Sequence, residues 1–215
     1  MTNVMVLIFI NLELCCIKLK PIKMFVVNNK IVKVLILFIA FNLTTKTGWS
    51  QEYKLINTAS ELSILGTSSL HDWEIKAENM KGSISIDSLN VKSLKIEIEA
   101  EGLKSGHKGM DKNTYKALNT DQYKTIVFQM SNSSKLSKQS DGKYLIEAKG
   151  SLTISGTTKN IDLKLYLETN NYQIKLKGEK TFNMTDFNVD PPKALMGTIK
   201  TGNEITVKYH VTFNK

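Results

Sequence analysis

The chain has 215 residues, 41% of them apolar and 23% charged, with three prolines; that make-up argues against long disorder and suits one domain of ordinary size. Its formal net charge is +9, carried by lysine with no arginine at all, and the absence of forked guanidinium donors or a dense basic cluster argues against a nucleic-acid partner. Six lysines and one acid, Glu13, fall in residues 1–50, so the remainder carries only +4, ordinary for a soluble domain.

Residues 1–50 read as an N-terminal extension and signal peptide. Lys30 and Lys33 form a basic start, Val34–Leu43 is an apolar run, and Gly48 and Ser50 are small residues at −3 and −1 of a cleavage after Ser50. That run has ten residues, against about 20 needed to span a bilayer. The mature form is therefore expected to be periplasmic or secreted, without an integral membrane span; a signal-anchor helix is the alternative. Met1–Lys23 holds a second apolar run, and a start at Met24 would give a signal of normal length. Both cysteines, Cys15 and Cys16, lie here, so the core of the mature chain must rest on packing alone. Glu13 stands where a lipoprotein signal wants a small residue, which argues against a lipid anchor.

From residue 51 onward the hydrophobic period is two. Strands are expected at Tyr53–Asn57, Glu61–Ser68, Trp73–Asn79 and Ser83–Asp87. Leu94, Ile96, Ile98 and Ala100 then share one face, with Lys95, Glu97, Glu99 and Glu101 on the other. "KGMDKNTYKALNTDQY" (Lys108–Tyr123) breaks the pattern: Asp111 is the expected N-cap, and Met110, Thr114 and Leu118 fall at helical spacing. Strands resume at Thr125–Ser131 and Tyr144–Ser155. Ile161, Leu163, Leu165 and Leu167 alternate next, then Tyr172, Ile174 and Leu176, and last Ile205, Val207, Tyr209, Val211 and Phe213. Turns are expected at Asp141-Gly142, Ser155-Gly156, Asn170-Asn171 and Gly202-Asn203. The expected fold is all-β and antiparallel, with one short helix. Closure into a barrel would remove the exposed edges of such long amphipathic strands. A two-sheet sandwich fits the same periodicity.

Chemistry is sparse. In "GTSSLHDWEI" (Gly66–Ile75), His71 and Asp72 face opposite sides if they lie in a strand and can act together only in a turn; otherwise Asp72 caps a tight turn over a packed Trp73. His71, His107 and His210 show no metal-ligand spacing, so no metal is expected, and His210 should face solvent beside Tyr209. No nucleophile elbow is present, and "GLKSGHKG" lacks the ending of a phosphate loop. No catalytic residue and no cofactor is expected. An interior lined by alternating apolar residues can be filled by them or can hold one hydrophobic molecule.

Several blocks carry a family resemblance. "YKLINTASELSILGTSSLHDW" resembles the opening strand pair of the YceI-like family, exported barrels that bind lipids or polyisoprenoids. "MDKNTYKALNTDQYKTIVFQM" resembles that family's helix and following strand, "KGSLTISGTTKNIDLKL" its most recognisable strand, and "MTDFNVDPPKALMGTIKTGNEITVKY" its closing segment. Two departures mark a divergent branch. Tyr123-Lys124 replaces a common Tyr-Pro, and "FNMTDF" replaces an arginine-containing motif.

The resemblance implies an extended antiparallel, lipocalin-like β-barrel over residues 51–215 with a long apolar tunnel. It also implies a hydrophobic or amphiphilic partner, an isoprenoid or fatty-acyl chain, stored or transported in the cell envelope. The expected lining is Leu62, Ile64, Leu94, Ile96, Ile98 and Phe128, with Leu152, Ile154, Leu163, Leu165, Ile174 and Val207. His71, Asp72 and Trp73 would form a rim, and Met110, Tyr115 and Leu118 would set the helix over the tunnel or its entrance. Phe182, Phe187 and the Pro191-Pro192 turn would close the other side. The alternatives are a barrel with a filled core that acts through its surface, and an enzyme using His71. A homodimer stays open.

Overall fold

The computed structural model describes residues 51–87, 90–170, 172–194 and 197–215. The expected signal segment with its cleavage site, the Met24 start and both cysteines lie outside the described residues, as does Asn171 of one expected turn.

Among the described residues thirteen strands and one α-helix follow in chain order, with three short 3-10 turns between them. They are β1 (Gln51–Leu55), β2 (Glu61–Ser68), β3 (Trp73–Ala77), β4 (Met80–Asp87), β5 (Asn90–Glu99) and β6 (Leu103–Lys104), then α1 (Lys108–Leu118). After the helix come β7 (Thr125–Ser133), β8 (Ser137–Ser140), β9 (Lys143–Ile154), β10 (Thr157–Thr169), β11 (Gln173–Asn183), β12 (Lys193–Ala194) and β13 (Ile199–Asn214). Eight of these strands, β1-β4-β5-β7-β9-β10-β11-β13, form a ring that shuts where β1 pairs β13, and every pairing is antiparallel. The barrel expected from the periodicity is the fold, and closure removes the edges a sandwich would leave.

β1 and β2 run along the same partner. β1 meets the end of β13 at Leu55↔Phe213, and β2 continues along it from His210↔Glu61 to Thr201↔Ser68. A 3-10 turn at Asn57–Ala59 interrupts the course. A matching break at Glu78–Asn79 separates β3 from β4. Asn57 fastens the two breaks together: its Nδ2 donates to the Glu78 carbonyl at 2.5 Å, and its Oδ1 accepts from the Met80 N–H at 2.9 Å. That is why the strands expected at Tyr53–Asn57 and Trp73–Asn79 stop at Leu55 and Ala77. The Asn57 side chain replaces the ladder partners of the Glu78 carbonyl and the Met80 N–H where the chain kinks.

On one side of the barrel the short β6 pairs only β3, and α1 bridges from there to β7. The helix begins at Lys108 with His107 as N-cap, and Asp111 sits inside the first turn instead of capping it. The Asp111 carboxylate accepts from the Ser105 N–H and hydroxyl, at 2.8 and 2.6 Å, tying the turn to the chain before it. α1 ends at Leu118, short of the expected Tyr123, because Asn119 takes a left-handed conformation that terminates it.

The turn expected at Gly202-Asn203 is instead a register irregularity inside β13, between Thr201 and Ile205. Tyr172 precedes β11 and is 72% exposed, so it does not share the interior face of Ile174 and Leu176. Asn170 makes a turn there, its side-chain oxygen accepting from the Tyr172 and Gln173 N–H groups. The interior at this end of the barrel is filled: Ile84, Ile146, Leu167, Val211 and Phe213 have no exposure at all, and Ile174 only 1%.

Candidate functional site

The alternation that fills one end leaves the other hollow. A cavity of about 760 Å³ occupies the end covered by α1. Its floor is Leu94, Leu165, Leu176 and Val211, with the filled end behind them. Its walls carry Leu62, Ile64, Ile96, Ile98, Phe128, Leu152, Ile154, Leu163 and Val207. These are inward-phase positions on six strands, placed by the period-two rule.

Three segments surround the open end. The first is the turn between β2 and β3. Ser68, not Asp72, organises it: the Ser68 Oγ accepts from the Leu70 and His71 N–H groups and donates to the His71 carbonyl at 2.8 Å. Ser69 pins the turn to β13, its N–H donating to the Lys200 carbonyl at 2.9 Å. Trp73 donates from Nε1 to the Thr67 carbonyl at 2.9 Å, and its indole lies across Gly66, the opposite residue on β2. His71 is exposed, with Nδ1 only 2.6 Å from the Asp72 carbonyl.

The second segment is α1. Met110, Thr114, Ala117 and Leu118 line the cavity from one helical face. The opposite side is fastened by Tyr115, whose hydroxyl lies 2.9 and 3.0 Å from the Glu101 and Leu103 carbonyls and accepts from Lys104 at 2.6 Å. That contact raises the Lys104 pKa above its ordinary value. The third segment runs from Phe182 to Lys193. Phe187, 1% exposed, packs edge-to-face on Phe182 with ring centroids 5.1 Å apart, and both line the cavity beside Ala117 and Leu118.

Of the residues expected in the lining, eleven are there, and Ile174 is not: it lies deeper, in the filled end. Of the expected mouth residues, His71, Trp73, Met110, Leu118, Phe182 and Phe187 border the cavity. Asp72 is exposed and is not among the residues that line the cavity. Tyr115 points to the β5–β6 connection instead. His210 is exposed, and neither it nor His107 lines the cavity. Among the described residues no group of three or more His, Cys, Asp or Glu side chains converges as a metal site would require.

The lysines of the lining were not foreseen. Lys112 and Lys193 stand at the rim, and Lys180 lies on the inward phase of β11 with Ile174, Leu176 and Phe182. Carrying the alternation from Leu176 through Gly178 would have placed it there. Tyr209 also lines the cavity; its hydroxyl is fully enclosed over Gly178 without a hydrogen-bond partner among the described residues. Burial, then the charge of Glu179, pushes that hydroxyl's pKa up, so it stays protonated.

Residues 53–213 match the family model described as the YceI-like domain. Two solved structures share the fold. Burkholderia cenocepacia BcnA is 16% identical with a TM-score of 0.60, the match covering 74% of this chain and 98% of that one. A polyisoprenoid binding domain from Saccharophagus degradans, implicated in plant cell wall breakdown, is 12% identical with a TM-score of 0.60, covering 75% and 97%. The comparison with curated proteins gives no match.

Proposed function

The chain belongs to the YceI-like domain family, and from that premise we propose that it is an exported binding protein, not an enzyme, that holds one lipid-like chain in the barrel for storage or transport in the cell envelope. In this reading residues 1–50 are removed after Ser50 and residues 51–215 are the working domain. The observation that carries it is the cavity itself: about 760 Å³, apolar on its walls and floor, and shut at one end by packed side chains. That volume lies within the roughly 300–1,000 Å³ usual for small-molecule sites. A tail entering it gains about 0.8 kcal/mol per buried CH₂, so a long chain needs no special chemistry to be held. The Saccharophagus domain, described as polyisoprenoid binding, supports an isoprenoid among the candidates.

The blind end sets the pose. A chain enters tail first, stops at Leu165, Leu176 and Val211, and leaves its head at the rim formed by His71, Trp73 and α1. His71 then contacts the head group and performs no chemistry. Mass spectrometry of an organic extract of the purified protein tests the reading. A co-purifying lipid near one per chain is expected. An extract without lipid, together with no uptake of fluorescent lipids, would favour a barrel that works through its surface.

A further inference from the structure

Lys180 is out of place for a wall that only has to be greasy. On β11 the interior positions run Ile174, Leu176, Gly178, Lys180 and Phe182, while Glu179 and Thr181 face solvent. Thr181 bonds Thr206 of β13 across the outer face, which fixes that phase and turns Lys180 inward. Lys180 pairs in register with Val207, between Phe182 near the opening and Gly178 beneath the Tyr209 ring. An ammonium held against apolar walls is costly unless an anion or water meets it. Its four-carbon stem can lie along the wall while the charge reaches toward the opening.

No carboxylate meets it there. The charged side chains that line the cavity are Lys112, Lys180 and Lys193, and no Asp or Glu is among the lining residues. Among the described residues none of the three ammonium groups has a hydrogen-bond or ion-pair partner. Some lysines outside the cavity pair with acids, as Lys76 does with Glu61 and Lys95 with Glu97; what sets Lys180 apart is its place on the inward phase among apolar wall residues. A neutral terpenoid would leave Lys180 unanswered, and leucine would serve such a ligand better.

We propose that the cavity selects an anionic amphiphile, a single chain ending in a carboxylate or phosphate, whose head group pairs with Lys180 while Lys112 and Lys193 draw it to the opening. This rests on the carrier reading above and adds the sign of the head group to it. The tail fills the space below Lys180 down to the floor, and the anion sits between Lys180 and the rim, where the four-carbon stem lets the ammonium reach it.

The test compares ligands that differ only at the head. Purified protein is loaded with a lipophilic naphthylamine dye and titrated with oleate, oleyl alcohol, farnesyl phosphate or farnesol. At least one anion should displace the dye about tenfold or more tightly than its matched alcohol. The larger of the two anion-to-alcohol ratios distinguishes a carboxylate from a phosphate source. In Lys180→Met that ratio should fall toward one, and Lys180→Arg should keep it. Alcohols binding as tightly as both anions, or Lys180→Met keeping the preference, would overturn the inference and leave the carrier reading standing. Displacement by none of the four would overturn both.

Discussion

Gly66 is a glycine because Trp73 occupies the space a side chain would take. A Cβ at residue 66 would lie 2.1 Å from the indole Cζ2, well inside contact distance. The indole cannot simply swing away, since its N–H is committed to the Thr67 carbonyl. Gly66→Ala should therefore destabilise the protein by roughly 1–3 kcal/mol through overpacking, measured as a lower urea midpoint with an unchanged slope. A second residue-scale effect concerns Asp111. Burial pushes its carboxyl up, but the two hydrogen bonds from Ser105, with Lys104 and His107 nearby, outweigh that and hold it below the ordinary value. A depressed folded pKa contributes stability above the unfolded value of about 3.9, and that contribution is lost as pH falls through the folded one. Melting temperature should thus drop on acidification from about pH 5 to pH 2, and the drop should be shallower in Asp111→Asn.

Among the elements, α1 depends on its neighbours more than on its own sequence. None of its residues is fully buried, and it is tied at both ends. At its C-terminus the Ser155 hydroxyl, in the β9–β10 turn, donates to the Leu118 carbonyl at 2.8 Å. Ser155 and Gly156 both have positive φ, 47° and 76°, as a two-residue hairpin turn of this type requires. Two substitutions at one position separate these effects. Ser155→Ala loses the bond and keeps the backbone strain, so it should cost about 0.5–1.5 kcal/mol. Ser155→Gly loses the same bond but relieves the strain, and should come out less destabilising. Thermal melts of the two variants check the order.

The long strands were legible at this scale because alternation in β5, β10 and β13 is a local signal. The breaks at Asn57 and Asn79 were not. They depend on one amide reaching a carbonyl 21 residues away, and nothing in the window around Asn57 announces that reach. β6, β8 and β12, with two, four and two residues, are too short to show a period at all.

At the scale of the whole molecule, the sequence could place side chains inside the barrel but not say how far along its axis each one falls. Ile174 and Leu176 belong to the same alternation; one is buried in the filled end and the other floors the cavity. In the same way the pattern could not tell a hollow interior from a solid one, since both need apolar residues at inward positions. His71 and Asp72 were indistinguishable in the sequence; in the turn organised by Ser68, His71 lines the cavity and Asp72 does not. The division of the interior into a packed end and an open end is thus the property on which the carrier account depends. On the proposed reading, the packed end would keep the barrel folded when empty and the open end would take up and release the ligand.

Substituting the wall should separate these two halves. Val207 lines the cavity opposite Lys180 and lies outside the filled end. Val207→Trp would put an indole into the open space with little strain on the packed cluster. The most direct measurement is a titration of the delipidated protein and of Val207→Trp with a fluorescent long-chain lipid, with a thermal melt of each. Saturable uptake at one lipid per chain, weakened about tenfold or more in a variant that still melts cooperatively, is the outcome the cavity predicts. Uptake that is absent, or that is unchanged when the cavity is filled, would contradict it.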